Sequence, residues 1–224
     1  MAVNLRNTND VSISGVKLLV YGAAGAGKTY LIKTLPDPII LSAEAGLLSI
    51  RGSNLPYIEI KKIEDLTEVY EWITSSDEAK KYQSIALDSI SEIAEVVLSA
   101  EKKINKDPRN AYGVMQEQVT DIVRAFRDLP GKHVYFSAKM EKAQDEMGRM
   151  LYSPLMPGKK LGPALPFFFD EVFALRAEKT DSEVQRALMT FNDGMWEGKD
   201  RSGQLSPWEE PDLGAIIRKI GGAE

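Results

Sequence analysis

Eight consecutive residues near the amino terminus match the pattern G-x-x-x-x-G-K-[ST] in full: residues 22–29 read Gly-Ala-Ala-Gly-Ala-Gly-Lys-Thr. Residues 16–21 before them form a short apolar run typical of a buried strand, and residues 28–35 predict a helix that ends before Pro36. With a strand before the loop and a helix after it, the glycines let backbone N–H groups surround phosphate oxygens, and the N-terminus of the helix favours negative charge. The motif therefore predicts that a nucleoside triphosphate binds here.

The side chains of this phosphate loop have separate tasks. Lys28 would reach the β- and γ-phosphates, and the Thr29 hydroxyl would ligate Mg²⁺. We therefore predict Mg²⁺ as a cofactor beside the triphosphate, which the family resemblance described below implies is ATP. The residues predicted to hold the nucleotide are Gly22, Ala23, Ala24, Gly25, Ala26, Gly27, Lys28, Thr29 and Tyr30.

Two acidic residues follow predicted strands, at the end of the sheet where ligands of parallel sheets bind. Residues 84–87 form an apolar run that ends on Asp88, and an acid in this position holds the Mg²⁺ shell beside the threonine of a phosphate loop. A helix N-cap is the alternative interpretation of Asp88. Residues 38–41 predict another strand, followed by Glu44. A carboxylate there could polarise the attacking water, and a solvated loop glutamate explains the residue equally well.

The rest of the chain alternates predicted strands and helices. Helices are predicted at residues 63–73, 91–104, 114–129 and 212–220, a loop at residues 105–113, strands at residues 133–138 and 186–191, and regular structure at residues 167–175. This alternation predicts an α/β fold with a mostly parallel central sheet and helices on both faces. Residues 1–15 predict a flexible tail, although Val11 and Ile13 alternate as in an edge strand, and residues 16–224 predict one domain.

Composition narrows the class of protein. The 224 residues are 43% hydrophobic and 27% charged, as in an ordinary globular protein. No apolar stretch approaches the roughly 18 residues of a membrane span, and the first 15 residues lack a signal-peptide core. The absence of cysteine excludes disulfides and thiolate metal sites and fits a reducing cytoplasm. A net charge of −5 argues against a globally basic nucleic-acid binder but allows local basic loops.

These motifs together resemble the ATPase core of RecA-type recombinases. The resemblance rests on the Gly-Lys-Thr of the phosphate loop, on a second strand running into Ala43-Glu44, and on a third ending in Leu87-Asp88-Ser89. In that family the glutamate after the second strand is the catalytic base, which the resemblance implies for Glu44. It also implies a RecA-like P-loop NTPase core.

The chain is more specifically similar to short phage-encoded RecA-like proteins that act in single-strand annealing and recombination. Besides the phosphate loop, this similarity rests on residues 110–113, 130–134 and 199–203. It implies an ATPase stimulated by single-stranded DNA that assembles into an oligomer or filament in the bacterial host cytoplasm. A single-strand binding protein is an expected partner, and a membrane is not.

The resemblance is incomplete at the fourth strand. RecA proteins commonly end this strand with Asn-Gln, whereas this chain has Ser137-Ala138-Lys139. Either Lys139 takes the role of the sensor glutamine or the relay to DNA works differently. Further along, Lys199 and Arg201 lie in a glycine-rich segment that we expect to be a flexible loop. They could act on a neighbour's γ-phosphate as a finger pair, or they could be a charged hairpin tip.

Two segments correspond to the DNA-binding loops of RecA-type filaments, namely residues 102–113 and residues 139–162. Basic side chains there would neutralise phosphates, and interleaved apolar side chains would contact unstacked bases. A solvated helix end and a disordered lid are the respective alternatives. The predicted DNA contacts are Lys102, Lys103, Lys106, Arg109, Lys142, Arg149, Lys159 and Lys160.

Two other functions remain open from the sequence. A small-molecule kinase usually brings several arginines over the phosphates in a lid, and residues 139–162 contain only Arg149. A helicase loader or nucleotide-gated scaffold would bind ATP without turning it over. The sequence thus favours an ATP-dependent single-strand annealing protein over both.

Overall fold

The computed structural model describes residues 15–44, 46–181 and 183–222. Its strands are β1 (Lys17–Gly22), β2 (Pro38–Ser42), β3 (Tyr57–Glu59), β4 (Ser84–Asp88), β5 (His133–Gln144), β6 (Met150–Pro154), β7 (Glu171–Lys179), β8 (Val184–Met189), β9 (Lys199–Asp200) and β10 (Trp208–Glu209). Its α-helices are α1 (Lys28–Leu31), α2 (Ile63–Ser75), α3 (Ile90–Ile104), α4 (Pro108–Arg127), α5 (Leu161–Ala164) and α6 (Leu213–Ile220). Short 3₁₀ helices cover Ile32–Thr34, Leu47–Ile50, Glu78–Lys81 and Leu165–Phe168.

The strands form one sheet in the order β10-β8-β7-β1-β5-β4-β2-β3, with β6 beside β5 and β9 beside β7. The six strands from β7 to β3 run parallel to one another. The remaining pairings are antiparallel and lie at the β7 edge and at the end of β5. The predicted mostly parallel α/β sheet is therefore confirmed.

Helices cover both faces of the sheet. Since successive side chains of each strand point to opposite faces, each central strand contributes to two separate cores. Leu19 and Tyr21 of β1 belong to the apolar core formed with α2, α3 and α4. Leu18 and Val20 belong to a second core, formed with α1 and α6. A strand buried on both faces is apolar throughout, which is why β1, β2 and β4 are recognisable in the sequence.

The predicted loop at residues 105–113 is wrong, because α4 begins at Pro108. Proline is tolerated in the first turn of a helix, where its missing N–H would lack a partner anyway. Asp107 caps this turn by accepting a hydrogen bond from the Arg109 N–H at 2.9 Å. Gly113 lies inside α4, and a Cβ added there would meet no atom within 4 Å beyond the backbone of the helix itself. Only three residues, 105–107, connect α3 to α4.

The expectation that residues 139–162 form a loop or a disordered lid is also wrong for most of the segment. β5 continues to Gln144 and pairs with β6 in an antiparallel hairpin. Asp145 closes the turn, because its Oδ1 accepts hydrogen bonds from the N–H groups of Met147 and Arg149. Gly148 adopts a φ of 81°, which favours glycine. What remains irregular is the segment between β6 and α5.

The other segments with sequence predictions are α1, residues 167–175 and the first 15 residues. The helix after the phosphate loop is short, four α-helical residues followed by the 3₁₀ turn Ile32–Thr34. In the segment 167–175, regular structure is a 3₁₀ turn followed by β7. The predicted tail at residues 1–15, with Val11 and Ile13, lies outside the described residues except for Gly15. Among the helices that the structure describes, none has the length and apolar character to cross a membrane.

The amino end of β7 contains a buried carboxyl group. Glu171 is 1% exposed and lies opposite Asp200 of β9. Its Oε1 accepts a hydrogen bond from the Ser202 N–H at 3.3 Å, while its Oε2 has no partner among the described residues. Burial, together with the nearby Asp200 carboxylate, raises the pKa of Glu171 to about 8.

We predict that Glu171 makes the stability of the fold depend on pH. Since its folded-state pKa exceeds the ordinary value of 4.5, its contribution is complete below that value and is lost as the pH rises to about 8. Between about pH 6 and pH 9 the free energy of unfolding should fall by about 1–2 kcal/mol more in the wild type than in Glu171→Gln. Urea unfolding at several pH values measures this difference. Parallel pH profiles for the two proteins would refute it.

Candidate active site

The phosphate loop connects β1 to α1 at the carboxyl edge of the sheet. Gly25 and Gly27 have φ angles of 75° and 111°, a region that residues with a Cβ rarely adopt. The Ala26 N–H donates a hydrogen bond to the Ala23 carbonyl at 3.2 Å and closes the turn. Tyr135 of β5 fixes the start of α1, because its buried hydroxyl donates to the Lys28 carbonyl at 2.8 Å.

Lys28 lies folded over this loop. Its Nζ donates hydrogen bonds to the carbonyls of Gly22 at 2.9 Å and Ala23 at 3.1 Å. Burial lowers the pKa of the ammonium group, whereas the Asp88 and Glu44 carboxylates act in the opposite direction. Lys28 is thus electrostatically coupled to both acids that the sequence singles out.

Asp88 lies at the end of β4 and is 2% exposed. Its Oδ2 accepts a hydrogen bond from Thr29 Oγ1 at 2.6 Å, and its Oδ1 accepts one from the Ser137 hydroxyl of β5. The peptide bond between Asp88 and Ser89 is cis. The helix cap that the sequence allowed for Asp88 is instead made by Ser89, whose hydroxyl accepts from the Glu92 N–H. Asp88 therefore faces the phosphate loop, as a ligand of its metal would.

Glu44 lies beyond the end of β2 on the same edge. Its Oε1 accepts a hydrogen bond from the Ser89 hydroxyl at 2.5 Å. The backbone N–H groups of Ala43 and Glu44 both point to the Asp88 carbonyl, at 2.8 and 3.4 Å. These contacts hold a half-buried carboxylate next to Asp88. They support the interpretation of Glu44 as a base more than that of a solvated loop residue.

Lys139 of β5 lies beside the first residue of the phosphate loop, since it pairs in register with Gly22. Its Nζ binds two carboxylates of α3, Glu92 Oε2 at 2.6 Å and Glu95 Oε1 at 3.2 Å. This position fits a sensor of the nucleotide, but in this arrangement the ammonium contacts α3. The sensor role of Lys139 stays a prediction.

Lys199 and Arg201 lie at the opposite edge of the sheet. Lys199 belongs to β9, not to a flexible loop, and pairs in register with Val172 near the amino end of β7. Its Nζ donates to the Phe169 carbonyl at 2.6 Å, and Arg201 forms an ion pair with Asp170 at 2.7 Å. The flexible-loop prediction is therefore wrong for Lys199. Neither cation is near the phosphate loop of its own chain, so a finger role would require a neighbouring subunit.

All eight predicted DNA contacts are exposed, and the structure brings the two segments that carry them together. Lys102, near the end of α3, lies 5.2 Å from the centre of the Tyr112 ring. The other side of the contact comes from the segment after β6, where a Cβ on Gly158 would lie 3.3 Å from Tyr112 Cδ1. Lys159 and Lys160 follow directly.

The apolar residues between the basic residues of the segment 139–162 differ in their exposure to solvent. Met147 at the hairpin tip is 84% exposed, whereas Met156 is 3% exposed and belongs to the core. Tyr152 stacks on Trp196 with ring centres 4.0 Å apart. Met156 and Tyr152 are therefore engaged within the fold rather than presented to bases.

A stack of rings connects the hairpin to the β7 edge of the sheet. Beyond Tyr152 and Trp196, the Arg176 guanidinium lies 5.0 Å from the Trp196 ring and 5.3 Å from the Trp208 ring. The Tyr21 hydroxyl, next to the phosphate loop, donates to the Glu197 carbonyl at 2.7 Å and lies within hydrogen-bonding distance of the Tyr152 carbonyl, at 3.1 Å. Trp196 and Trp208 thus both contact one arginine.

Sequence reasoning gave no role to four residues of the site: Ser89, Tyr135, Ser137 and Arg186. Ser89 and Ser137 follow or end predicted strands, so strand-end position was an available signal for both. Arg186 Nε donates to the Ala26 carbonyl of the phosphate loop at 2.9 Å, from a residue 160 positions away. No local pattern indicates that contact.

Comparison with known proteins identifies a family for this chain. The AAA domain family AAA_24 matches residues 14–202. Among solved structures, a KaiC-like protein from the hyperthermophilic archaeon Pyrococcus horikoshii OT3 is similar, with 14% identity, a TM-score of 0.45 and coverage of 79% of this chain and 78% of that one. A comparison with curated proteins found no match. The chain belongs to the AAA domain family and is a P-loop ATPase with a mostly parallel α/β fold.

Proposed function

We propose that this ATPase binds single-stranded DNA in an ATP-dependent manner and promotes strand annealing and recombination. The observation that carries the proposal is the position of the basic segment after β6. The Leu155 N–H donates to the Lys139 carbonyl at 2.8 Å, and Lys139 is in register with Gly22 of the phosphate loop. Lys159 and Lys160 therefore lie a few residues from the edge of the sheet where the triphosphate binds. DNA and nucleotide would occupy neighbouring sites.

The hydrolytic step follows from the contacts of Glu44. Because Ser89 donates to Oε1, the second oxygen, Oε2, would take the proton from the attacking water. Lys28 would leave the carbonyls of its own loop and bind the β- and γ-phosphates. Its ammonium group would then balance the charge that develops on the γ-phosphoryl group.

Mg²⁺ fits the oxygen atoms that meet at Asp88. The Thr29 hydroxyl and the Asp88 carboxylate are 2.6 Å apart, and both are ligand types that Mg²⁺ prefers. When bound there, the ion would neutralise phosphate charge during transfer. Ser137 would hold the carboxylate in place from β5.

Binding of DNA would use charge from both sides of Tyr112. Lys102, Lys103, Lys106 and Arg109 lie around the α3–α4 connection, and Lys159 and Lys160 follow Gly158 on the other side of the ring. Cations that neutralise phosphates release counterions, which gives affinity without sequence preference. Short phage-encoded RecA-like proteins, which the sequence resembles, perform annealing of this kind. We propose a homo-oligomer or filament and a single-strand binding protein as protein partners.

We predict that single-stranded DNA increases the ATPase rate and that Glu44→Gln lowers kcat by about 100-fold or more, with nucleotide affinity nearly unchanged. Steady-state phosphate release, with and without oligonucleotide, measures both effects. Glu59→Gln is a matched control, because Glu59 ends β3 nearby and forms an exposed ion pair with Lys61 at 2.7 Å. ATP binding without turnover would point to a loader or scaffold, and phosphorylation of added nucleosides to a kinase.

We predict that the double variant Lys159→Ala, Lys160→Ala weakens binding to single-stranded DNA and flattens its salt dependence. Loss of two phosphate contacts should reduce the slope of log K against log [salt] by about 1.4. Fluorescence anisotropy of a labelled oligonucleotide at several salt concentrations measures the slope. The double variant Lys80→Ala, Lys81→Ala, which removes two exposed lysines paired with Asp77 and Glu78, is the control. An unchanged slope would remove Lys159 and Lys160 from the DNA site.

If sites are shared between subunits, Arg201→Ala and Glu44→Ala proteins should complement each other. Each variant alone lacks a different component of the shared site, whereas a mixed interface can combine an intact Glu44 with an intact Arg201. ATPase activity of mixtures at several ratios measures recovery, expected to be partial. Asp170→Ala, which releases Arg201 from its ion pair, should retain activity. Absence of recovery at every ratio would argue against a finger role.

A further inference from the structure

A cavity of about 1020 Å³ opens beside the phosphate loop. One wall is formed by Gly25, Gly27 and Tyr30 of the loop and its helix. The opposite wall comes from the antiparallel edge of the sheet, where Arg186 and Trp208 line it. Its size is at the upper end of that of small-molecule sites, which makes it large enough for a nucleoside.

The order of strands determines which way a bound triphosphate must point. Asp88 ends β4 and Glu44 follows β2, so both acids lie on one side of β1. The strands β7, β8 and β10 lie on the other side of β1. A triphosphate that lies along the loop with its γ-phosphate towards Glu44 therefore directs its nucleoside towards β7 and β8, where the cavity is.

The walls of the cavity suit a flat aromatic base. Tyr30 is 52% exposed and Trp208 is 44% exposed, so each offers uncovered ring surface. Bases stack on aromatic rings and on guanidinium planes. Arg176, which lies 5.3 Å from the Trp208 ring, also lines the cavity and adds such a plane.

Arg186 connects the cavity to the phosphates. Its Nε holds the Ala26 carbonyl, and a Cβ on Gly27 would lie 3.3 Å from the same nitrogen. A guanidinium in this position lies between the loop that binds phosphate and the wall that would bind the base. It therefore has the place and the charge to contact the α-phosphate or the ribose.

A second cavity, of about 730 Å³, lies on the other side and is lined by Leu47, Leu48, Tyr57 and Glu44. A base in this cavity would lie against Glu44, where the attacking water must stand. The proposed hydrolytic role of Glu44 therefore disfavours it as the nucleoside site.

We propose that the nucleoside of the bound triphosphate occupies the cavity between Tyr30 and Trp208, and that Tyr30, Arg186 and Trp208 determine affinity for it. This inference rests on the proposed orientation of the triphosphate towards Glu44. It assigns a role to Trp208, for which the hydrolytic mechanism has none.

The test compares ADP with inorganic tripolyphosphate, which carries no nucleoside, by titration calorimetry. Tyr30→Ala and Trp208→Ala should each weaken ADP binding roughly tenfold and leave tripolyphosphate binding unchanged. Tyr57→Ala, an aromatic truncation in the second cavity, should change neither. Weaker ADP binding in Tyr57→Ala alone would place the nucleoside in the second cavity and overturn the proposal. Equal loss of both ligands in Trp208→Ala would also overturn it.

Tryptophan fluorescence gives a readout that needs only mild substitutions. ADP should change the fluorescence emission of the wild type and of the control Trp72→Phe. Trp72 lies on α2, where its ring contacts that of Tyr82. Most of that change should be lost in Trp208→Phe, and its persistence there would refute the proposal.

The phosphate site is tested separately by Lys28→Ala, which should lose both ligands. A wild type that binds tripolyphosphate but not ADP would overturn this inference and leave the ATPase site standing, whereas binding of neither would overturn both.

Discussion

The site depends on one buried carboxylate. Asp88 is almost completely excluded from water, and burying an ionised acid is costly unless hydrogen bonds or a cation compensate it. Here Thr29 from the phosphate loop and Ser137 from β5 supply those hydrogen bonds. The same contacts bring the ends of β1, β4 and β5 to one edge, and the neighbouring residue, Ser89, orients Glu44. The requirement to satisfy Asp88 thus assembles most of the catalytic edge.

Parallel strands explain why the functional residues converge although they are far apart in the chain. Each parallel strand ends at the same edge of the sheet, so residues that follow β1, β2 and β4 become neighbours without any local signal between them. The hairpin of β5 and β6 extends that edge, because β5 continues five residues beyond Lys139. The phosphate loop after β1 and the proposed DNA-binding segment after β6 therefore both follow strands that pair with β5.

Sequence reasoning succeeded where burial leaves a periodic or continuous signature. β1, β2 and β4 are apolar in their interiors. The strand ends marked Asp88 and Glu44 as candidates, and their roles stay predictions. It missed β3, three residues long and partly exposed, because so short a strand has no pattern. It failed at Pro108 because proline ends helices and also begins them, and only the capping contact of Asp107 distinguishes the two. Arg186 could not be predicted, because its role depends on a contact with Ala26 that the fold alone creates.

The stack of Tyr152, Trp196, Arg176 and Trp208 joins the hairpin to the rim of the larger cavity. A ligand at either end that prefers one arrangement of these groups shifts the population of that arrangement along the whole stack. If the hairpin contacts DNA as proposed, thermodynamic linkage would make such an effect mutual. The factor by which an occupant of the cavity alters the affinity for DNA would then also be the factor by which DNA alters the affinity for that occupant. Communication between the two ends then needs only a change of packing among four side chains.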